Sequence, residues 1–211
     1  WPRDWSSDVC SSDLPILVAI AMLICFLQFS GVSYETYSEA GSLVEFWLKP
    51  AVVALGVPLY LQLRMIKKQL MPILISQLAG CVVGLVSVTI IAKLMGASPE
   101  VIMSLAPKSV TTPIAMEVSN AVGGIPSLTA AVVIVVGLFG AICGFKLLQV
   151  GRVASPIAQG LSMGTASHAV GTSRAMEVSG KYGAYASLGL TLNGILTALL
   201  SPTILHILGL Y

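Results

Sequence analysis

Thr112–Ser119 reads TPIAMEVS, and 60 residues further on Thr172–Ser179 reads TSRAMEVS. Working outward, Pro107–Leu128 set against Ser167–Leu188 gives ten identities in 22 pairs. They include Val110/Val170, Met116/Met176, Glu117/Glu177, Gly123/Gly183 and Leu128/Leu188, where an apolar composition alone would give about two. The chain therefore contains an internal duplication. Each copy sits in a stretch rich in Gly, Pro, Ser and Thr with ionisable residues inside it, Ser98–Gly124 and Pro156–Gly183. A long apolar run follows each, Ile125–Leu148 and Ala184–Leu208. The unit is a broken segment plus one crossing.

The rest of the chain says what is being crossed. Hydrophobic residues make up 56% of it, charged residues 9%, and the mean hydropathy is +0.92. A water-soluble domain carries about 25% charged residues to cover its surface, so most of this exterior must face lipid. Three further apolar segments, Pro15–Phe29, Phe46–Leu63 and Leu70–Ala92, approach the ~20 residues that a helix needs to span a bilayer. The expected fold is an all-α, polytopic transmembrane helix bundle with two inverted repeats, each a broken or re-entrant helical segment plus a full transmembrane helix.

Charge orients it. Arg64, Lys67 and Lys68 form the densest basic loop, which belongs in the cytoplasm. Alternation then puts Ser30–Glu45, with Glu35, Glu39 and Glu45 and no Lys or Arg, outside. Lys146 and Arg152 should again lie inside. Only Ile125–Leu148 separates them from the outer turn near Gly96–Glu100, so Ser98–Gly124 is expected to enter and leave on the outer side. Pro156–Gly183 is expected to do the same from the cytoplasm. Single crossings by each stretch are the alternative, at the cost of the charge asymmetry. Paired interrupted helices in opposite orientation point to a secondary transporter's midplane site.

Residues 4–14 (DWSSDVCSSDL) resemble one reading frame of a sequencing-library adapter and stop where the apolar run begins at Pro15. Residues 1–14 are accordingly expected to be non-native, residues 15–211 to form a single integral membrane domain, and the first helix to be truncated. Cys25, Cys81 and Cys143 sit singly in apolar runs without metal-ligand or redox spacing, so no metal or cofactor is expected.

In the first broken segment, Pro113 pushes Thr112 toward an extended conformation. That predicts Thr112 as N-cap and Pro113 as the first helical residue, with Lys108 just ahead of an N-terminus that suits an anion. In the second, glycines replace the prolines. The helix is expected to start near Thr172, with His168 matching Lys108 and Arg174 in the first turn. Tip to tip, the segments would gather Lys108, His168 and Arg174 with hydroxyls from Ser109, Thr111, Thr112, Ser167 and Thr172, a set suited to a small carboxylate anion. Glu117 and Glu177 need basic partners or a proton. Glu177 can reach Arg174 at i,i+3, and either can couple transport to protons. The plainer alternative is that Lys108 and Arg174 only neutralise these glutamates, with His168 a packing residue. Ser167 and His168 adjoin, yet neighbours seldom reach nucleophile–base geometry and no orienting carboxylate is suitably spaced, so no enzyme is expected. No phosphate-binding Gly loop or nucleic-acid-binding patch is present.

SYETY (Ser33–Tyr37), KPAVVALGVPLY (Lys49–Tyr60), SLAPKSVTTPIAMEVS (Ser104–Ser119), GGIPSLTA (Gly123–Ala130) and GTASHAVGTSRAMEVS (Gly164–Ser179) resemble, in that order, the LrgB/CidB family of bacterial membrane proteins. The resemblance covers essentially all of residues 15–211. It implies a multi-pass protein of the bacterial inner membrane, an antiholin-like modulator of murein hydrolase export and autolysis. It also implies kinship with the plastid glycolate/glycerate translocator, and with members that move pyruvate beside an LrgA/CidA-type small membrane protein. The partners expected are thus the lipid bilayer, that small protein, a small monocarboxylate and, in a homo-oligomer, further copies of the chain; nucleic acid is not among them.

Overall fold

The computed structural model describes residues 14–33, 36–37, 39–42, 46, 50, 60 and 69–210. The expected span Phe46–Leu63, the basic loop Arg64–Lys68, Lys49, Glu35, Glu45 and residues 1–13 of the adapter-like tail lie essentially outside them. The chain divides into two compact units, Trp1–Ala54 and Leu55–Tyr211. Of the first, the main described element is α1 (Leu14–Ser30), an apolar helix closed by Gly31 at φ 67°. A positive φ carries no steric cost for a residue without Cβ.

The second unit holds α2 (Leu70–Leu94), α3 (Pro99–Leu105), α4 (Thr112–Ala121), α5 (Pro126–Val150), α6 (Pro156–Val178) and α7 (Gly180–Ile207). The described residues contain helix and no strand. Prolines 99, 113, 126 and 156 stand in the first turns of α3, α4, α5 and α6, where a missing N–H costs nothing and φ is already set. Helices α2, α5 and α7 are long and apolar enough to cross a membrane. At 25 residues, α2 and α5 are each about 37 Å long, against a hydrocarbon core of ~30 Å.

The unit is inside out relative to a water-soluble protein. Gln77, Thr89, Thr129, Asn193 and Thr197 are buried, while Phe139, Leu199 and Leu94 are exposed. A helix whose outside is apolar and whose inside carries amides and hydroxyls belongs in lipid. Close packing comes from small residues. A Cβ on Gly164 would overlap the Ala186 carbonyl of α7, and one on Gly160 would lie 2.8 Å from Tyr185 Cβ. From α5, Gly137 and Gly144 make room for His168 and Met163, and Gly140 admits the Ser167 side chain.

Both broken segments are interrupted. The first separates α3 from α4 by a turn over residues 106–111. The second breaks α6 at Ser167 (φ −125°, ψ 16°) and His168 (φ 42°, ψ −134°). Residues eight apart on a straight helix are about 12 Å apart along its axis, yet a Cβ on Gly171 would lie 2.7 Å from Met163 O. The arms 156–166 and 169–178 are thus folded sharply on each other. Contacts between the first arm and α7 climb both chains in the same direction. Gly160 meets Tyr182 and Tyr185, Leu161 and Thr165 meet Gly189, and Thr165 meets Asn193. In the first copy, Ser104 of α3 likewise receives Ile125 N–H at 2.7 Å, and its carbonyl accepts from Thr129 Oγ1 at 2.9 Å.

The second helix restarts at residue 169, three residues earlier than the sequence suggests. Thr172 is interior, donating to the His168 carbonyl at 2.8 Å, so Arg174 lies past the first turn. Pro113 forces the start in the first copy; with Ser173 at the matching position of the second, nothing delays it beyond His168. The cap of α4 is likewise Thr111 rather than Thr112, at φ −61° and ψ 145°.

Candidate functional site

A cavity of about 870 Å³ opens between α2, the two breaks, α5 and α7. Apolar side chains and glycines make most of its wall. Its polar groups are few and converge from different elements, among them Gln77 of α2, Lys108 and Ser109 of the first break, Thr165 and Ser167 of the second, and Asn193 of α7. A mostly apolar concavity with a small set of convergent polar groups is the usual form of a small-molecule site.

Asn193 ties the two breaks together. Its Nδ2 donates to Ser109 O at 3.2 Å and to Thr165 O at 3.0 Å. Sharing one nitrogen, those carbonyls are no more than about 6 Å apart. Thr165 Oγ1 in turn donates to Gln77 Oε1 at 2.7 Å, pinning the second break to α2. The mirror contact is made by His168, whose Nε2 lies 2.9 Å from Val133 O of α5. Val133 and Asn193 stand 60 residues apart, the offset of the duplication. Each break is therefore held at the same position of the other copy's long helix.

Lys108 Nζ donates to Gly84 O and to Ser109 Oγ, both at 3.4 Å. The ion pair found among the described residues is Arg174–Glu177, three residues apart on one helix. Lys108 has no acidic partner among them, and Glu117, the glutamate of its own broken segment, is exposed. The charge-neutralising alternative thus fits Arg174 and Glu177 but not Lys108. An ammonium whose partners among the described residues are a carbonyl and a hydroxyl, on the wall of an apolar cavity, favours an anion beside it.

The remaining expected residues divide. Ser109 and Ser167 line the cavity with Lys108. Thr111 is buried, its hydroxyl without a partner among the described residues, and Thr112 is half-buried in the first turn of α4. His168 is 4% exposed and its ring is turned onto Gly137 and Val133. Thr172 bonds within its own helix, and Arg174 is committed to Glu177. The structure brings Lys108, Ser109 and Ser167 to one cavity, and sets His168, Thr172 and Arg174 behind its wall. Gln77, Thr165 and Asn193 were not anticipated; the signal available was an amide standing alone in an apolar run.

A family model described as the LrgB-like family matches residues 10–207. The holin-like protein CidB of Staphylococcus epidermidis is 38% identical over 191 residues, covering 90% of this chain and 83% of that protein. CidB of Staphylococcus aureus is 37% identical over the same shares. The uncharacterized protein YwbG of Bacillus subtilis is 38% identical over 90% of this chain and 85% of its own length. No solved structure matches the chain.

Proposed function

The chain belongs to the LrgB-like family of membrane proteins, and from that premise we propose that it moves a small monocarboxylate of the pyruvate, glycolate or glycerate type across the bacterial inner membrane, working with an LrgA/CidA-type partner. The observation that carries the reading is Lys108, without an acidic partner among the described residues, on the wall of a cavity where two interrupted helices meet. The substrate carboxylate rests against Lys108 Nζ, and Ser109 and Ser167 supply hydroxyls. Thr111 and Thr112 set the start of α4, whose N–H groups add positive potential. His168, Thr172 and Arg174 hold the second break in shape.

The two copies form inverted, re-entrant units. Each broken segment returns to the face it entered, which accounts for the parallel run of the arm 156–166 beside α7. Contacts of each break with the other copy's long helix at the matched positions 133 and 193, His168 to Val133 and Ser109 to Asn193, are what a two-fold relation produces. Residues 15–211 act as one membrane domain. Glu177 is a structural partner for Arg174, and Glu117 is the remaining candidate for proton coupling.

A second reading follows the holin-like character of the CidB relatives: the chain regulates murein hydrolase export by assembling with its partner, without carrying a solute. Uptake of labelled pyruvate, glycolate and glycerate into liposomes, with and without the LrgA/CidA-type protein, separates the two. Saturable uptake that falls at least tenfold in Lys108→Ala supports transport. Absence of saturable uptake in both preparations leaves the holin-like reading standing alone.

A further inference from the structure

Among the described residues, four glycines stand on the cavity wall, Gly80 and Gly84 of α2 and Gly140 and Gly144 of α5. Three are explained by what packs on them. A Cβ on Gly140 would run into Ser167, one on Gly144 into Met163, and one on Gly80 would lie 3.3 Å from Thr165 Cγ2. A Cβ on Gly84 would meet no atom of the described residues within 4 Å. Glycine weakens a helix relative to alanine, and packing gives no reason for one here. The open space over Gly84 belongs to the cavity. Gly84 follows Gln77 by seven residues, nearly two whole turns, and so points the same way to within about 20°. Gln77 is 2% exposed and bonded to Thr165 of the second break. Val83, 65% exposed, points about 100° away from Gly84.

We infer that Gly84 is a specificity-determining residue: its missing side chain leaves the room in which the substrate's carbon skeleton lies while the carboxylate rests on Lys108, so that bulk added at this position excludes acids in order of their size. The inference rests on the carboxylate-transport reading of this cavity. Lys108 Nζ carries three donors, and its partners among the described residues, Gly84 O and Ser109 Oγ, occupy two. A carboxylate taking the third sits no more than about 6 Å from Gly84 O. The carbon behind that carboxylate falls beside a bare backbone, which glycine lets a ligand approach closely. A three-carbon acid does not fill this room. The cavity volume of about 870 Å³ lies within the range of about 300–1,000 Å³ that houses far larger ligands.

Pyruvate, 2-oxobutyrate and 2-oxoisovalerate share one head group and carry behind it a methyl, an ethyl and an isopropyl group. Their half-saturating concentrations are measured by uptake into liposomes holding the protein with its LrgA/CidA-type partner. The unaltered protein is expected to accept all three. The ratio of 2-oxoisovalerate to pyruvate is expected to rise in Gly84→Ala and further in Gly84→Val, to at least ~10-fold above its starting value. Should Gly84→Val not fold, the rise in Gly84→Ala decides. An equal change for the three acids, or no change, overturns the inference. Refusal of the larger two by the unaltered protein overturns it as well and leaves transport intact. Lack of uptake of any acid, glycolate and glycerate included, removes the transport reading along with it. The thermal-unfolding midpoint in detergent gives a second reading that needs no transport. Gly84→Ala should match or exceed the unaltered protein, because the added Cβ enters open space and alanine favours the helix. A clear fall, or failure of Gly84→Ala to fold, means that the space is filled and overturns the inference by itself.

Discussion

The two breaks occupy equivalent places in a duplicated unit and are built by opposite means. The first is a turn over residues 106–111, bracketed by Pro107 and Pro113 and short of regular hydrogen bonds. Its length lets Lys108 reach the cavity. The second compresses the reversal into Ser167 and His168, with His168 at φ 42°, a region that non-glycine residues seldom occupy. It is possible because α5 presents glycines: Gly137 beneath the imidazole and Gly140 beneath Ser167. The cation of the first copy thus faces a void, and the imidazole that replaces it faces a backbone carbonyl. Duplication preserved the architecture while only one copy kept the charge on the cavity wall.

The largest expected effect falls on the first break. Lys108→Ala should reduce carboxylate uptake at least tenfold while the protein remains folded, because the contacts of Lys108 among the described residues are long, both at 3.4 Å. Comparable losses from Lys108→Ala and His168→Ala, with stability unchanged in both, would erase the distinction between the breaks. Next comes the floor of the second break. Gly140→Val drives a side chain into Ser167, and overpacking of this kind costs about 1–3 kcal/mol or more. A clear drop in the thermal-unfolding midpoint in detergent is expected; no drop would mean that the break does not rest on Gly140.

His168→Ala removes the hydrogen bond to Val133 O and the packing on Gly137. The stability loss should be ~1–3 kcal/mol, with substrate affinity falling less than in Lys108→Ala. The smallest effect sharpens the comparison at another matched pair. Ser119 is fully buried and takes the Thr129 hydroxyl at 2.7 Å, whereas Ser179 is half-buried and caps α7 through Tyr182 N–H at 3.5 Å. Ser119→Ala should cost about 1–3 kcal/mol and Ser179→Ala only about 0.5–1 kcal/mol, read as a larger midpoint shift for the first.

Much of this architecture was legible in the chain. Helices at Leu70–Leu94, Pro126–Val150 and Gly180–Ile207 follow from apolar runs that tolerate no other structure in lipid. The two interruptions were flagged by proline, glycine and ionisable residues inside otherwise apolar segments. Lys108 was legible as well, since a lysine at that depth needs a reason. The start of the second helix was misplaced because it was inferred from Pro113, and its copy has no proline to delay it. His168 was placed with Lys108 by alignment, but which way a side chain points depends on the neighbouring helix, here the glycines of α5. Asn193 was missed because one amide among leucines resembles a packing residue until its two carbonyl partners, 84 and 28 residues away, are in view. Such long-range pairings are a property of the assembled bundle.

The central claim is that both breaks line one anion cavity. In a cysteine-free background, Ser109→Cys on the first break and Ala166→Cys on the second both reach that cavity. The rate at which a membrane-permeant maleimide alkylates each is measured against rising concentrations of whichever of pyruvate, glycolate and glycerate the protein takes up. One site predicts protection of both cysteines with the same half-maximal concentration. Protection of one with the other unaffected, or of neither by an acid that the protein transports, would contradict it.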